Sequence, residues 1–152
     1  MRCAGAFEVE LDLDRALALF TPEGERDWVE DWDPHYIYEP EGDRAEPGTV
    51  FLTHGHGPGE AATVWVIAAR EPDAMRYLRR DPHGIAGSVE VRCTPAGNAT
   101  RVEVTYALAA AGGGVHEELY RFAAGYEDYL DGWRTAIEAA IEDGRIAPDG
   151  SA

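Results

Sequence analysis

A chain of 152 residues, 45% apolar and 28% charged, has the length of one domain and the balance of a globular protein, which excludes disordered and collagen-like classes. Twenty-nine Asp and Glu against thirteen Lys and Arg give a formal charge of −16. Such a field opposes a polyanion, so no nucleic-acid partner is expected, and it makes copies repel, so a monomer or weak homodimer is expected.

In chain order, Phe7, Val9, Leu11 and Leu13 alternate with carboxylates and predict a half-buried strand over Phe7 to Leu13. Asp14 is the expected cap of a short helix carrying Ala16, Leu17, Leu19 and Phe20. Thr21-Pro22-Glu23 offers a second start, with a capping oxygen, a proline at the first helical position and acids near the positive end, for a helix ending near Trp28. Trp32 to Tyr38 reads as a strand after Pro34, and Pro40, Gly42, Pro47 and Gly48 mark a polar loop.

Val50 to His54, Thr63 to Arg70, Ala74 to Arg80, Ser88 to Thr94 and Thr100 to Ala109 follow as strands, the last two joined by a hairpin at Pro95-Ala96-Gly97-Asn98. Val102, Val104, Tyr106 and Leu108 form the inward face of the last strand. After Gly112-Gly113-Gly114 the period becomes helical: Leu119, Phe122, Tyr126, Leu130, Trp133, Ile137 and Ile141 recur at steps of three and four, giving one long helix that ends near Gly144. Residues 1–146 are expected to form one domain, with 147–152 as a frayed tail.

Cys3 and Cys93 have no metal-type or redox spacing and read as free thiols, Cys93 as a buried, inert one in phase with Val89 and Val91. The first residues lack the apolar stretch of a secretory signal, and no run reaches the ~18 apolar residues of a membrane span. The cytoplasm is the expected compartment, with no membrane insertion.

The element order, together with Leu19-Phe20-Thr21-Pro22-Glu23-Gly24-Glu25, Trp28 and Trp32-Asp33-Pro34, resembles the START-like superfamily, also called SRPBCC or polyketide-cyclase-like. That resemblance implies an α+β helix-grip fold: a curved antiparallel sheet of about seven strands around a long C-terminal helix, with two short helices after the first strand. It also implies a cavity between sheet and helix for an apolar or aromatic ligand, and it supplies no catalytic motif.

His54 and His56, at spacing two on a strand continuing through Thr53-His54-Gly55-His56-Gly57-Pro58-Gly59, could share a metal. No third ligand accompanies them, and an exposed glycine-rich loop is the favoured reading, so no metal and no cofactor is expected. The same glycines precede a strand and offer no helix terminus to a phosphate. His116-Glu117-Glu118-Leu119-Tyr120 lacks the second histidine of a zincin, and neither Ser88 nor Ser151 sits in a nucleophile elbow. Arg76, Arg79 and Arg80, flanked by Asp73 and Asp81, read as a solvated strand edge.

The more informative feature is the mixture of rings and hydroxyls at positions expected to face inward. Tyr36, Tyr38, His54, Trp65, Tyr77, Tyr106, Tyr126 and Trp133 form the expected ligand-facing set. His54, His56, Tyr77 or Arg70 could move a proton in a catalytic version of the site. Three functions compete on this reading: binding or transport of a hydrophobic or aromatic small molecule; an aromatase/cyclase or dehydratase acting on a polyketide-like substrate; and an acidic interaction module whose cup is filled by its own rings.

Overall fold

The computed structural model describes residues 1–54, 61–110 and 116–147. Seven strands run β1 (Arg2–Val9), β2 (His35–Tyr38), β3 (Val50–His54), β4 (Ala62–Glu71), β5 (Ala74–Arg80), β6 (Ile85–Ala96) and β7 (Ala99–Ala110). They form one curved antiparallel sheet in the order β1-β7-β6-β5-β4-β3-β2. Helix α1 (Leu13–Ala18) and a 3₁₀ turn (Gly24–Asp27) follow β1, and α2 (His116–Ala124) and α3 (Tyr126–Glu142) follow β7. Register shifts in β2 and β4 add to the curl, because a bulge sharpens the local twist of its strand.

The first strand lies nearer the N-terminus than the alternation of Phe7 to Leu13 suggests. Arg2 to Val9 pair with Ala107 to Thr100, whereas Asp12 caps α1 by accepting a hydrogen bond from the Arg15 N–H at 3.0 Å. The capping residue is therefore Asp12, and Leu13 belongs to a helix. Leu11 is buried outside the strand, where its carbonyl accepts the hydroxyl of buried Thr100 at 2.8 Å. The β6–β7 hairpin turns on Gly97-Asn98 alone, with Gly97 at φ 65°, a left-handed conformation that costs glycine nothing.

The expected long helix is divided at Gly125, whose ψ of 11° departs from helical geometry. Glycine is a weak helix former, and hydrogen bonds from the Gly125 N–H to the Arg121 carbonyl and from the Tyr129 N–H to the Gly125 carbonyl carry the chain across the break. The α3 segment then crosses β1 closely: a Cβ on Gly5 would stand 2.7 Å from Leu130 Cδ1. Ile137, Leu130 and Ala140 of α3 are buried with Val102, Val104, Val89 and Val91 of the sheet.

The segment from Leu19 to Pro34, which carried the resemblance, is held by side chains that satisfy its turn carbonyls. Thr21 Oγ1 donates to Ala18 O (2.8 Å) and Trp28 Nε1 to Leu19 O (2.8 Å), while Tyr77 Oη donates to Phe20 O (2.5 Å) and Trp32 Nε1 to Pro22 O (2.8 Å). Thr21 also accepts the Gly24 N–H at 3.0 Å, but the helix expected from Pro22 is only the 3₁₀ turn Gly24–Asp27, whose capping position is Glu23 with no side-chain cap. Buried carbonyls without partners would cost ~1–3 kcal/mol each, which explains why this turn needs Trp, Thr and Tyr at fixed places.

Candidate functional site

Residues that face each other across an antiparallel ladder share one side of the sheet, so the pairing register defines the inner face. One inner row runs Tyr36, Phe51, Trp65, Arg79, Gly87 and Leu108, and the next runs Ile67, Tyr77, Val89, Tyr106 and Cys3. Where these rows pass beneath α3 they enclose a void of about 20 Å³ lined by Phe20, Glu25, Trp65, Tyr77, Val89, Val91, Tyr106 and Trp133.

Four of the ring positions expected to face a ligand therefore meet at one place: Trp65, Tyr77, Tyr106 and Trp133. Tyr126 is buried against β1 and β7 and donates to the Val104 carbonyl at 2.6 Å. Tyr36 packs on Phe51 and donates to Glu23 Oε2 at 2.5 Å, outside the void. Tyr38 is 59% exposed at the end of edge strand β2, and His54 is exposed at the end of β3. His56 and the glycines around it lie outside the described residues, among which no three His, Cys, Asp or Glu side chains are grouped to hold a metal. Arg70 is tied to Asp43 and Glu46 at the surface.

The rings lining the void pack against one another. Trp65 stacks on Phe51 at 6.0 Å and meets Tyr77 edge-on at 6.0 Å, while Trp133 is 6.0 Å from Phe20, 5.3 Å from Trp28 and 6.4 Å from Tyr106. Their polar ends are largely engaged within the protein. Tyr77 donates to Phe20 O, Trp65 Nε1 donates to Thr53 Oγ1 at 2.9 Å, and the Tyr106 and Tyr129 hydroxyls share a hydrogen bond at 3.2 Å. Burial raises the pKa of Tyr77 and Tyr106 well above the ordinary phenol value, so both stay neutral hydroxyls.

Two inward groups are not engaged in this way, and sequence reasoning missed both. Glu25 was read only as an acid near a helix start; it projects from the 3₁₀ turn into the void, and its carboxyl has no hydrogen bond or ion pair with any described residue. Part of the residue, its carboxyl oxygens included, keeps contact with solvent, and the protein packed around it pushes its pKa well above the usual glutamate value. Its neighbour Glu23 points outward. Burial pulls that carboxyl up, but hydrogen bonds from Tyr36 and Arg26 and the charges of Arg26 and Arg44 outweigh it and lower its pKa.

Arg79 corrects the reading of a solvated arginine edge. Strand β5 is internal to the sheet; Arg76 and Arg80 are exposed, but Arg79 stands on the inner row with its guanidinium 5.1 Å over the Trp65 ring. Its Nη2 lies 3.7 Å from Asp81 Oδ2, and its buried Nε–H has no partner among the described residues. A period-two pattern places position 79 in phase with Tyr77 and Met75, which was the available signal.

A larger concavity lies elsewhere. A surface groove of about 400 Å³ runs between β1 and the end of α3, with Val9, Ile137 and Ile141 at its base and Glu8, Glu10, Glu138 and Glu142 around it. No helix among the described residues is long and apolar enough to cross a membrane.

A curved seven-stranded antiparallel sheet closed by C-terminal helices over an inward cup is the helix-grip fold, and this chain has the START-like, or SRPBCC, architecture. Among solved structures it is similar to Ara h 8.0201, with a TM-score of 0.70 at 12% identity over 94% of this chain and 98% of the other. It is also similar to Mll3558 from Rhizobium loti, with a TM-score of 0.67 at 20% identity over 92% and 97%, and to CalU16 from Micromonospora echinospora, with a TM-score of 0.62 at 17% identity over 95% and 82%. At these identities the likeness is one of fold. No family model and no curated protein matches the sequence.

Proposed function

We propose that this chain binds a hydrophobic, aromatic small molecule in the cup between the concave sheet and α3. The observation that supports the reading is the meeting of Trp65, Tyr77, Tyr106 and Trp133, with Glu25, around one void between the sheet and α3. On the inner row beside Trp65 the buried Arg79 Nε–H has no partner among the described residues, and a buried donor left unpaired lowers stability by ~1–3 kcal/mol, a cost that a filled core would avoid with Leu or Met at that place.

The void of about 20 Å³ has room for roughly one water, far below the ~300–1,000 Å³ of ligand sites, so binding requires the lining to open. Glu25, Trp65 and Trp133 are the lining residues that keep partial contact with solvent, so the route in lies between them. The same small void favours a second reading: a filled cup in a protein whose acidic surface recruits a basic partner. A polar pair facing across the cup within ~3 Å would favour a cyclase or dehydratase, and no hydrogen bond among the described residues joins two side chains lining the void.

Native mass spectrometry of the purified protein, compared with its denatured mass, tests the first reading together with titration by the neutral fluorophore N-phenyl-1-naphthylamine. A bound small molecule, or probe emission that rises while tryptophan emission is quenched, supports the cup. A clean mass and a silent probe with folded protein would sink it and leave the filled core.

A further inference from the structure

The convex side of the sheet carries two rows that alternate with the inner ones. One runs from Tyr38 through Val50, Val66, Leu78, Ser88 and Ala107 to Arg2, and the other holds His35, Leu52, Val64, Arg80, Ala86 and Ala109. Neither row has a carboxylate, although the chain carries twenty-nine Asp and Glu against thirteen Lys and Arg. Farther along the same strands the convex face is charged: Arg76 stands opposite Glu90 and Arg92 opposite Glu103. A lone exposed apolar side chain is ordinary. Here Leu78 is 45% and Val64 39% exposed, in one patch with half-buried Val50, Leu52 and Val66.

The patch is divided in a way that fits a copy of itself. Its side chains are bulky on β4 and β5 and small on β6 and β7, which lie next to one another in the order β7-β6-β5-β4. A two-fold axis running along the strands between β5 and β6 lays β5 of one copy over β6 of the other, and β4 over β7. Leu78 then meets Ser88, Val66 meets Ala107 and Val64 meets Ala109, each contact made twice, and one row farther on Arg76 meets Glu90 with opposite charge. We propose that two copies of this chain associate back to back through the convex face, with their cups turned outward. The formal charge of −16 on each copy opposes association, and a face without carboxylates is where that repulsion is least. Strands ~4.8 Å apart and rows ~7 Å apart give the strip across β3 to β7 roughly 300–400 Å² per copy, against ~800 Å² per partner in a standard interface. The dimer is therefore a weak one that forms at high concentration.

Sedimentation velocity of the full chain over about 10 µM to 1 mM tests this on wild type, Leu78→Glu, Val64→Glu and Tyr120→Glu. Wild type should pass from monomer to dimer with concentration, and more readily at about 0.5 M than at about 0.05 M sodium chloride, because salt screens the repulsion between the two acidic bodies. Leu78→Glu sets a carboxylate against the facing copy and should weaken the dimer roughly tenfold or more. Val64→Glu should act in the same direction, so the result does not hang on the folding of one variant. Tyr120 is 77% exposed on α2, away from this face, so Tyr120→Glu makes the same charge change and should leave the dimer as in wild type. A dimer that survives both Leu78→Glu and Val64→Glu would overturn the proposal by placing the contact on another face. Wild type that stays monomeric at the highest concentration and salt would overturn it as well. In that case, binding of wild type but not of Leu78→Glu to mixed phosphatidylcholine and phosphatidylglycerol vesicles would assign the face to a lipid surface instead.

Discussion

Replacing Glu25 by Gln removes one ionisable proton with little change in volume, and its effect on stability carries a sign that depends on pH. Burial raises the folded-state pKa of Glu25 well above its ordinary value of 4.5, to which the unfolded chain returns it. Below that value both states hold the proton and the group contributes no pH dependence. As pH rises past it, the unfolded chain releases the proton while the folded protein keeps it, so the unfolded state gains. Wild-type stability should fall by about 1.4 kcal/mol per pH unit on this account, until pH reaches the folded-state pKa and the slope vanishes. The variant has no such proton, so its advantage over wild type should widen as pH rises above the unfolded-chain value and level off at the folded-state pKa. Glu23 and Asp43, whose pKa values are lowered, contribute the opposite slope at more acid pH, but both remain in the variant and cancel in the difference. Urea unfolding of the two proteins at a series of pH values reads this difference directly. Parallel stability curves would show that the carboxyl is hydrated and would refute the placement of Glu25 inside the cup.

Two further outcomes test the frame around the site. Tyr77→Phe should destabilise the protein by ~1–3 kcal/mol in urea, because it leaves the buried Phe20 carbonyl without its donor at 2.5 Å; unchanged stability would mean that the carbonyl finds another partner and that the ring alone holds the turn. Cys93 is 1% exposed and its thiol is pushed up to about 11, by burial first and then by the charge of Asp73, so at pH 8 Ellman's reagent should reach no more than Cys3 until denaturant is added. Rapid reaction of two thiols in the folded protein would contradict the packing of β6 against the core.

Local pattern carried much of the fold. The alternation of Val102, Val104, Tyr106 and Leu108 specified the inner face of β7, and the spacing of Leu119, Leu130, Ile137 and Ile141 specified which side of the last helices is buried, because side-chain direction repeats with backbone period. The same logic reached four of the rings around the void. It did not reach Tyr38, since a four-residue edge strand with a register shift does not hold its phase, nor the division at Gly125, where local geometry departs from a helical pattern that continues on both sides.

Other features arise only when distant segments meet. Glu23 and Glu25 stand two residues apart in an acidic turn, and nothing local distinguishes them; Tyr36, Arg26 and Arg44 hold one at the surface, while the other lines the void between the sheet and α3. Arg79 lay in phase with the core, but its charge spoke for solvent until Trp65 and Asp81 were seen beside it. The size of the cup belongs to the same category. Residue identity and period determined that rings would face inward, whereas the separation of α3 from β1, fixed by the close approach at Gly5, decided that they meet around a void of about 20 Å³, because distance between layers is set by long-range packing that no single segment encodes.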